Sequence, residues 1–178
     1  LFLGPSDVDL LEGTVKIPVS ATGHYYLQPP SQGTVNITLG DKLLKQYSPE
    51  EWKKVGDYSN LPIVDSGTGG LTMPQELFNG VVQEANNIAS KQCKSQCQNI
   101  DIETPPVPES CAVCINTVMP DFVADFGSNK KLEVSGSTLF YETTPCSGEY
   151  SNSWSPGALT FGTASLYGKN VQFNAEEG

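Results

Sequence analysis

Hydrophobic positions along the chain recur at two spacings, and turn-forming residues cut them into short segments. Val15, Ile17 and Val19 alternate with polar or small residues, and so do Val35, Ile37 and Leu39. A period of two turns one face of a strand toward a core. Between Pro74 and Ala89 the set Leu77, Phe78, Val81, Val82, Ala85 and Ile88 falls at i, i+3 and i+4, which predicts an amphipathic helix. Ser48, with Pro49 next and Glu51 three residues on, predicts a second, short helix that opens on a capping box. Residues 1–45 otherwise read as strands and turns, and residues 61–73 as a strand, a tight loop and an outgoing strand. Residues 98–110 read as a loop around Pro105, Pro106 and Pro108. Residues 113–144 read as a strand meander whose core candidates are Val123, Phe126, Leu132, Val134, Leu139 and Tyr141. A polar loop over 146–157 and two closing strands around Gly162 complete the pattern. Many short strands at close turn spacing predict a mostly β domain.

Composition narrows this picture. A chain of 178 residues suggests one domain with a core of its own. Charged residues make up 17%, against 17 Gly and 13 Pro, in keeping with many turns. No apolar run approaches the roughly 20 residues that span a bilayer. Leu1-Phe2-Leu3 is too short, and lacks the basic flank, for a signal peptide. The net charge is −10, and the 10 Lys plus Arg form no stripe, which argues against nucleic acid as a partner. Lys53-Lys54 and Lys130-Lys131 read as solvated pairs. A pI near 4.4 suits a protein that works in acid, as it suits other acidic proteins. Trp52 and Trp154 lie in polar stretches where they could line a cleft or cap the core; His24 reads as an exposed strand or turn residue.

Five cysteines add a constraint: Cys93, Cys97, Cys111, Cys114 and Cys146. Cys93-x3-Cys97 and Cys111-x2-Cys114 could supply four thiolates to zinc. The only histidine is far away and the stretch between the pairs is rich in Pro and acid, so disulfides, and with them an oxidising compartment, are favoured. An odd cysteine in such a chain points to an intermolecular bridge. Asn36-Ile37-Thr38 is a glycosylation sequon, consistent with secretion.

The stretch with most chemistry in it is Ile63-Val64-Asp65-Ser66-Gly67-Thr68-Gly69. Two β-branched residues suit a buried strand. The chain then delivers a carboxylate straight to a turn whose glycines allow sharp backbone angles and whose small hydroxyls can hydrogen-bond to it. An acid held in this way can have a tuned pKa. An ordinary Asp-Ser-Gly turn at a strand end has the same local sequence.

This segment resembles the Asp-Thr/Ser-Gly-Thr active-site loop of the pepsin-like aspartic peptidases, and further landmarks follow in the family's order. Leu1-Phe2-Leu3-Gly4 with Asp7, Leu11, Gly13 and Val15-Lys16-Ile17-Pro18-Val19 is similar to the start of the family's second lobe. Tyr25-Tyr26-Leu27, Val35 to Asp41, Leu71-Thr72-Met73-Pro74 and Cys114 through Pro120-Asp121-Phe122 resemble its successive strands and turns. Leu159 to Leu166, followed by Val171-Gln172-Phe173-Asn174, resembles its late "I-L-G-D" segment. The resemblance covers nearly the whole chain, as a single unit over 1–178, and corresponds to the carboxy-terminal lobe only. It implies that lobe's fold, antiparallel strands with one or two short helices.

The resemblance also implies roles. Asp65 would be one of two carboxylates that share a proton and activate water for attack on a peptide bond. Ser66 would brace the two lobes' loops against each other, the Gly67 amide would donate to the carboxylate, and Thr68 would bond its outer oxygen. Phe161 and Gly162, after Thr160, would thread beside the loop. Cys114 would pair with Cys146, closing about 30 residues for roughly 3–4 kcal/mol. No cofactor and no metal is implied.

Departures from the family pattern are Gly69, where Ser or Thr is usual, Thr163 and Asn174, each in place of Asp, and a closing "I-G-F-A" strand that the sequence does not include. No second Asp has the required setting: Asp57 precedes Tyr58, and Asp121 and Asp125 each precede a Phe. The expected partner is therefore an amino-terminal lobe carrying the other acid, with a peptide or protein as substrate. Two functions follow as expectations. One is the second catalytic lobe of a secreted, extracellular or vacuolar/lysosomal aspartic endopeptidase, inactive alone. The other is an inactive peptidase-like domain used for binding or extracellular assembly.

Overall fold

Alternation along 35–39 makes a strand buried on one face: Val35, Ile37 and Leu39 are buried while Asn36 and Thr38 are half-buried on the other face. The computed structural model describes residues 19–21, 25–57 and 60–166. Within them the first strands are β1 (Val19–Ala21), β2 (Tyr25–Leu27), β3 (Val35–Leu39) and β4 (Lys42–Tyr47), followed by α1 (Pro49–Trp52), β5 (Ile63–Val64), β6 (Leu71–Met73) and α2 (Gln75–Lys91). The second half has β7 (Val107–Pro108), α3 (Glu109–Val118), β8 (Phe122–Asp125), β9 (Lys131–Val134), β10 (Phe140–Glu142), β11 (Glu149–Asn152), β12 (Trp154–Pro156), β13 (Thr160–Phe161) and α4 (Thr163–Leu166). The chain is mostly β.

Three sheets carry these strands. One is four-stranded and antiparallel, in the order β4-β3-β8-β9; another is three-stranded, β10-β11-β7. The third is six-stranded, β1-β2-β5-β13-β6-β12, and it is mixed: β13 runs parallel to β5, and β12 parallel to β6, whereas antiparallel strands were expected. Phe122 of β8 joins the four- and six-stranded sheets. Its ring meets Trp154 of β12 edge-on at 6.0 Å and Phe161 of β13 at 6.4 Å between centroids. Trp52 fills the other end, edge-on to Phe126 at 5.4 Å, and its indole N–H donates to the Leu27 carbonyl at 2.9 Å. Both tryptophans are fully buried members of the core.

Helix α1 forms as its residues dictate. Ser48 Oγ accepts from the Glu51 amide, the Glu51 carboxylate accepts from the Ser48 amide, and Pro49 opens the first turn. Helix α2 buries Leu77, Val81, Ala85 and Ile88, while Phe78 and Val82 are half-buried. At 17 residues it is not short, and with α1, α3 and α4 the described residues contain four α-helices, besides a 3-10 turn at Gly136–Thr138, rather than one or two.

Helix α3 replaces the expected start of the strand meander. Its valines and isoleucine suggest a strand, but Cys111, Ala112 and Ile115 are buried at helical spacing, and Pro108 precedes its first turn. Residues 149–152 and 154–156, expected as loop, are strands. In β8 the inward residues are Phe122 and Ala124, so Val123 faces outward; Leu132 is half-buried and Tyr141 is 51% exposed, whereas Phe126, Val134 and Leu139 are core as expected. A one-residue difference of register exchanges the two faces of a strand.

The cysteine pairing also differs from expectation. Cys93 is joined to Cys114 and Cys97 to Cys111, with Cα–Cα distances of 5.9 and 4.8 Å. Cys146 is a free, exposed thiol, so the expected Cys114–Cys146 bridge is absent and the four motif cysteines are not available as thiolates. The cause is helical geometry. A hydrogen-bonded turn from Cys93 to Cys97 continues beyond α2, and Cys111 and Cys114 lie three apart on α3, so each pair presents both sulfurs on one side. The chain doubles back between them and the bridges nest. Two intramolecular disulfides fit an oxidising compartment. No helix among the described residues is long and apolar enough to cross a membrane. The landmarks at residues 1–18, His24 and residues 171–174 lie outside the described residues.

Candidate active-site loop

Strand β5 ends at Val64 and hands Asp65 to the turn in the middle of the six-stranded sheet. Its neighbour β13 holds it from the far end of the sequence: the Asp65 amide donates to the Phe161 carbonyl at 3.0 Å. The carboxylate is half-buried and doubly held. Oδ1 accepts from the Gly67 amide at 2.8 Å, and Oδ2 accepts from Thr68 Oγ1 at 2.8 Å. The Thr68 amide closes the turn onto the Asp65 carbonyl at 3.2 Å. Charge-assisted bonds of this kind fix the orientation of a carboxylate. Ser66 and Gly67 are exposed at the tip.

A second segment crosses behind the loop. Phe161 is fully buried, and Gly162 is buried with its amide donating to the Gly70 carbonyl at 2.9 Å. A Cβ on Gly162 would run into the backbone carbonyls of Thr68 and Gly70, so only glycine allows this approach. Gly70 is enclosed in the same way by the Ser153 carbonyl. The Gly162 carbonyl in turn accepts from the Ser165 amide at 2.9 Å and from its hydroxyl at 2.6 Å, which starts α4. The structure thus brings together Asp65, Ser66, Gly67, Thr68, Phe161 and Gly162, six residues proposed from sequence in two stretches almost a hundred positions apart.

Thr163 and Gly69 belong to this assembly too. In sequence they are departures from the family pattern; in the structure they touch. Thr163 Oγ1 donates to the Gly69 carbonyl at 2.5 Å and its amide to the Thr68 carbonyl at 2.8 Å. No local signal marks that contact, since the residues are 94 apart.

Other candidates lie elsewhere. Asp121 accepts from the Gly136 amide at 2.9 Å, and Asp125 accepts from the Gly127 amide at 2.8 Å and lies 3.7 Å from Lys131. Both serve turns. Asn36 stands half-buried on the outer face of β3, its amide oxygen accepting from Gln46 and Thr34. Displaced titrations occur on other elements. Burial and the Glu76 carboxylate push the Tyr47 hydroxyl well up, and burial with Glu142 and Glu109 raises Tyr150. Hydrogen bonds from Ser48 lower Glu51, and those from Thr104 and the Glu103 amide lower Asp101. A groove of about 520 Å³ between β4 and α2, lined by Leu43, Leu44, Glu76 and Gly80 among others, contains none of the acid-loop residues. Among the described residues no group of three His, Cys, Asp or Glu side chains is placed to hold a metal ion.

The chain matches no family model and no curated protein.

Proposed function

We propose that this chain is the second catalytic lobe of a pepsin-like aspartic endopeptidase of the secretory or vacuolar route, and that Asp65 is one of the two acids that activate water. The observation that carries the reading is the hold on Asp65: one carboxylate oxygen on the Gly67 amide, the other on the Thr68 hydroxyl, with the Phe161-Gly162 segment crossing behind. That arrangement aims an oriented carboxylate at the surface, from an exposed tip. A lone acid cannot do the chemistry, because one carboxyl must be ionised to accept a proton from water while its neighbour stays protonated to polarise the scissile carbonyl. The second acid comes from an amino-terminal lobe, and exposed Ser66 is the residue that faces it. Asn36 is a glycosylation site in this reading.

The test is peptide cleavage between about pH 3 and 7, the span in which such a pair ionises, by the chain assembled with its amino-terminal lobe. Cleavage sensitive to pepstatin and lost in Asp65→Asn supports the reading. An assembled pair that cleaves nothing across that span overturns it in favour of a non-catalytic binding or assembly domain.

A further inference from the structure

Resting on that reading, we propose that Thr163 is a positioning residue for the Asp65 carboxylate, acting through the backbone of the acid loop. Two consecutive residues, Gly162 and Thr163, hold three consecutive carbonyls. The Thr163 amide takes that of Thr68 at 2.8 Å, the Thr163 hydroxyl that of Gly69 at 2.5 Å, and the Gly162 amide that of Gly70 at 2.9 Å. Thr68 is the residue whose hydroxyl holds Asp65 Oδ2. Its own carbonyl is therefore held by the Thr163 amide while its hydroxyl holds the carboxylate, and the clamp on that peptide sets where the hydroxyl stands.

The hydroxyl of Thr163 is the part of the clamp that side-chain chemistry controls. Its target is a point of the loop with open space beside it. Gly69 is exposed and is followed by a second glycine, and no atom lies within 4 Å of where a Gly69 side chain would stand, so packing does not restrain that peptide from its open side. In the related pattern position 69 carries a hydroxyl and position 163 an acid. A carboxylate at 163 could not donate to a carbonyl, and here the hydroxyl comes from 163 instead, bonded to the position that lacks one. The two departures form one pair.

The experiment compares Thr163→Val, which keeps the shape and removes the hydroxyl, with Thr163→Ser, which restores it. In the assembled two-lobe enzyme, T163V lowers kcat by about 10- to 100-fold, the scale of a small misplacement of a reacting group, while KM changes by less than about twofold. T163S returns kcat to within about threefold of wild type. In the chain itself, T163V speeds exchange of the Gly67 amide by about tenfold, with the β3 amides unchanged and T163S restoring protection. Unchanged kcat and unchanged Gly67 exchange in T163V overturn the proposal, as does a loss that T163S fails to recover. If the assembled wild type cleaves nothing, the peptidase reading fails instead, and Gly67 exchange still decides whether Thr163 holds the loop.

Discussion

At the scale of single residues, the acid loop separates glycines that backbone contact requires from one that it does not. Gly162 lies against the carbonyls of Thr68 and Gly70, whereas a side chain at Gly69 meets open space. Gly162→Ala is expected to destabilise the chain by about 1–3 kcal/mol or more, since the added methyl meets backbone that cannot turn away. Gly69→Ser is expected to lie within about 0.5 kcal/mol of wild type. Urea unfolding of the two variants checks both, and equal effects would show that the crossing behind Asp65 is not the tight one described. The bonds around Asp65 were legible in sequence because they are local: an acid, an amide two residues on and a hydroxyl three residues on form them within one turn. Thr163 was not, because its role is set by a neighbour from a distant stretch.

At the scale of elements, two helices show what local pattern carries and where it fails. The capping box of α1 was legible in full, and it brings a pH dependence. Hydrogen bonds from Ser48 hold the Glu51 carboxyl below its ordinary value. A carboxyl lowered by folding contributes stability that is fully present above its unfolded pKa and is lost as pH falls through its folded one. Wild type should therefore exceed Glu51→Gln most at neutral pH, and the gap should close on acidification; a gap constant from neutral to acid pH, by thermal unfolding, would remove Glu51 from the cap. Helix α3 was hidden by its β-branched residues, whose strand preference yields to burial of Cys111, Ala112 and Ile115 along one face. The spacing of its cysteines was the available signal. Bridges over 21 and 14 residues should each contribute about 3 kcal/mol in the chain-entropy model. The double variant Cys97→Ser/Cys111→Ser should lose about 2–4 kcal/mol in denaturant unfolding. Peptide mapping without reduction should recover Cys93 with Cys114 and Cys97 with Cys111, and alkylate Cys146 alone.

At the scale of the whole molecule, the six-stranded sheet explains why the acid loop forms where it does. Strands β5 and β6 flank β13, which arrives some ninety residues later, and β12 adds to the edge beyond β6. Hydrophobic alternation reports which face of a strand is buried but not which strand it meets, so the mixed order and its parallel pairs were not legible, although a mostly β chain was. The sheet holds the half-buried Asp65 carboxylate just below an exposed loop tip. Ligand binding gives a prediction independent of turnover. A transition-state mimic that needs both acids stabilises only the species that has both, by about 2.7 kcal/mol at a hundredfold excess over its Kd. On the proposed peptidase reading, pepstatin should leave the melting temperature of this chain alone unchanged, and raise that of a two-lobe assembly by several degrees at acid pH. Asp65→Asn should erase that rise without lowering the unliganded melting temperature comparably, because the substituted side chain keeps an oxygen for the Gly67 amide and its NH2 can donate to the Thr68 hydroxyl in place of accepting from it. A rise in the isolated chain would mean that one carboxylate suffices for binding, against the two-acid requirement of the proposed reading.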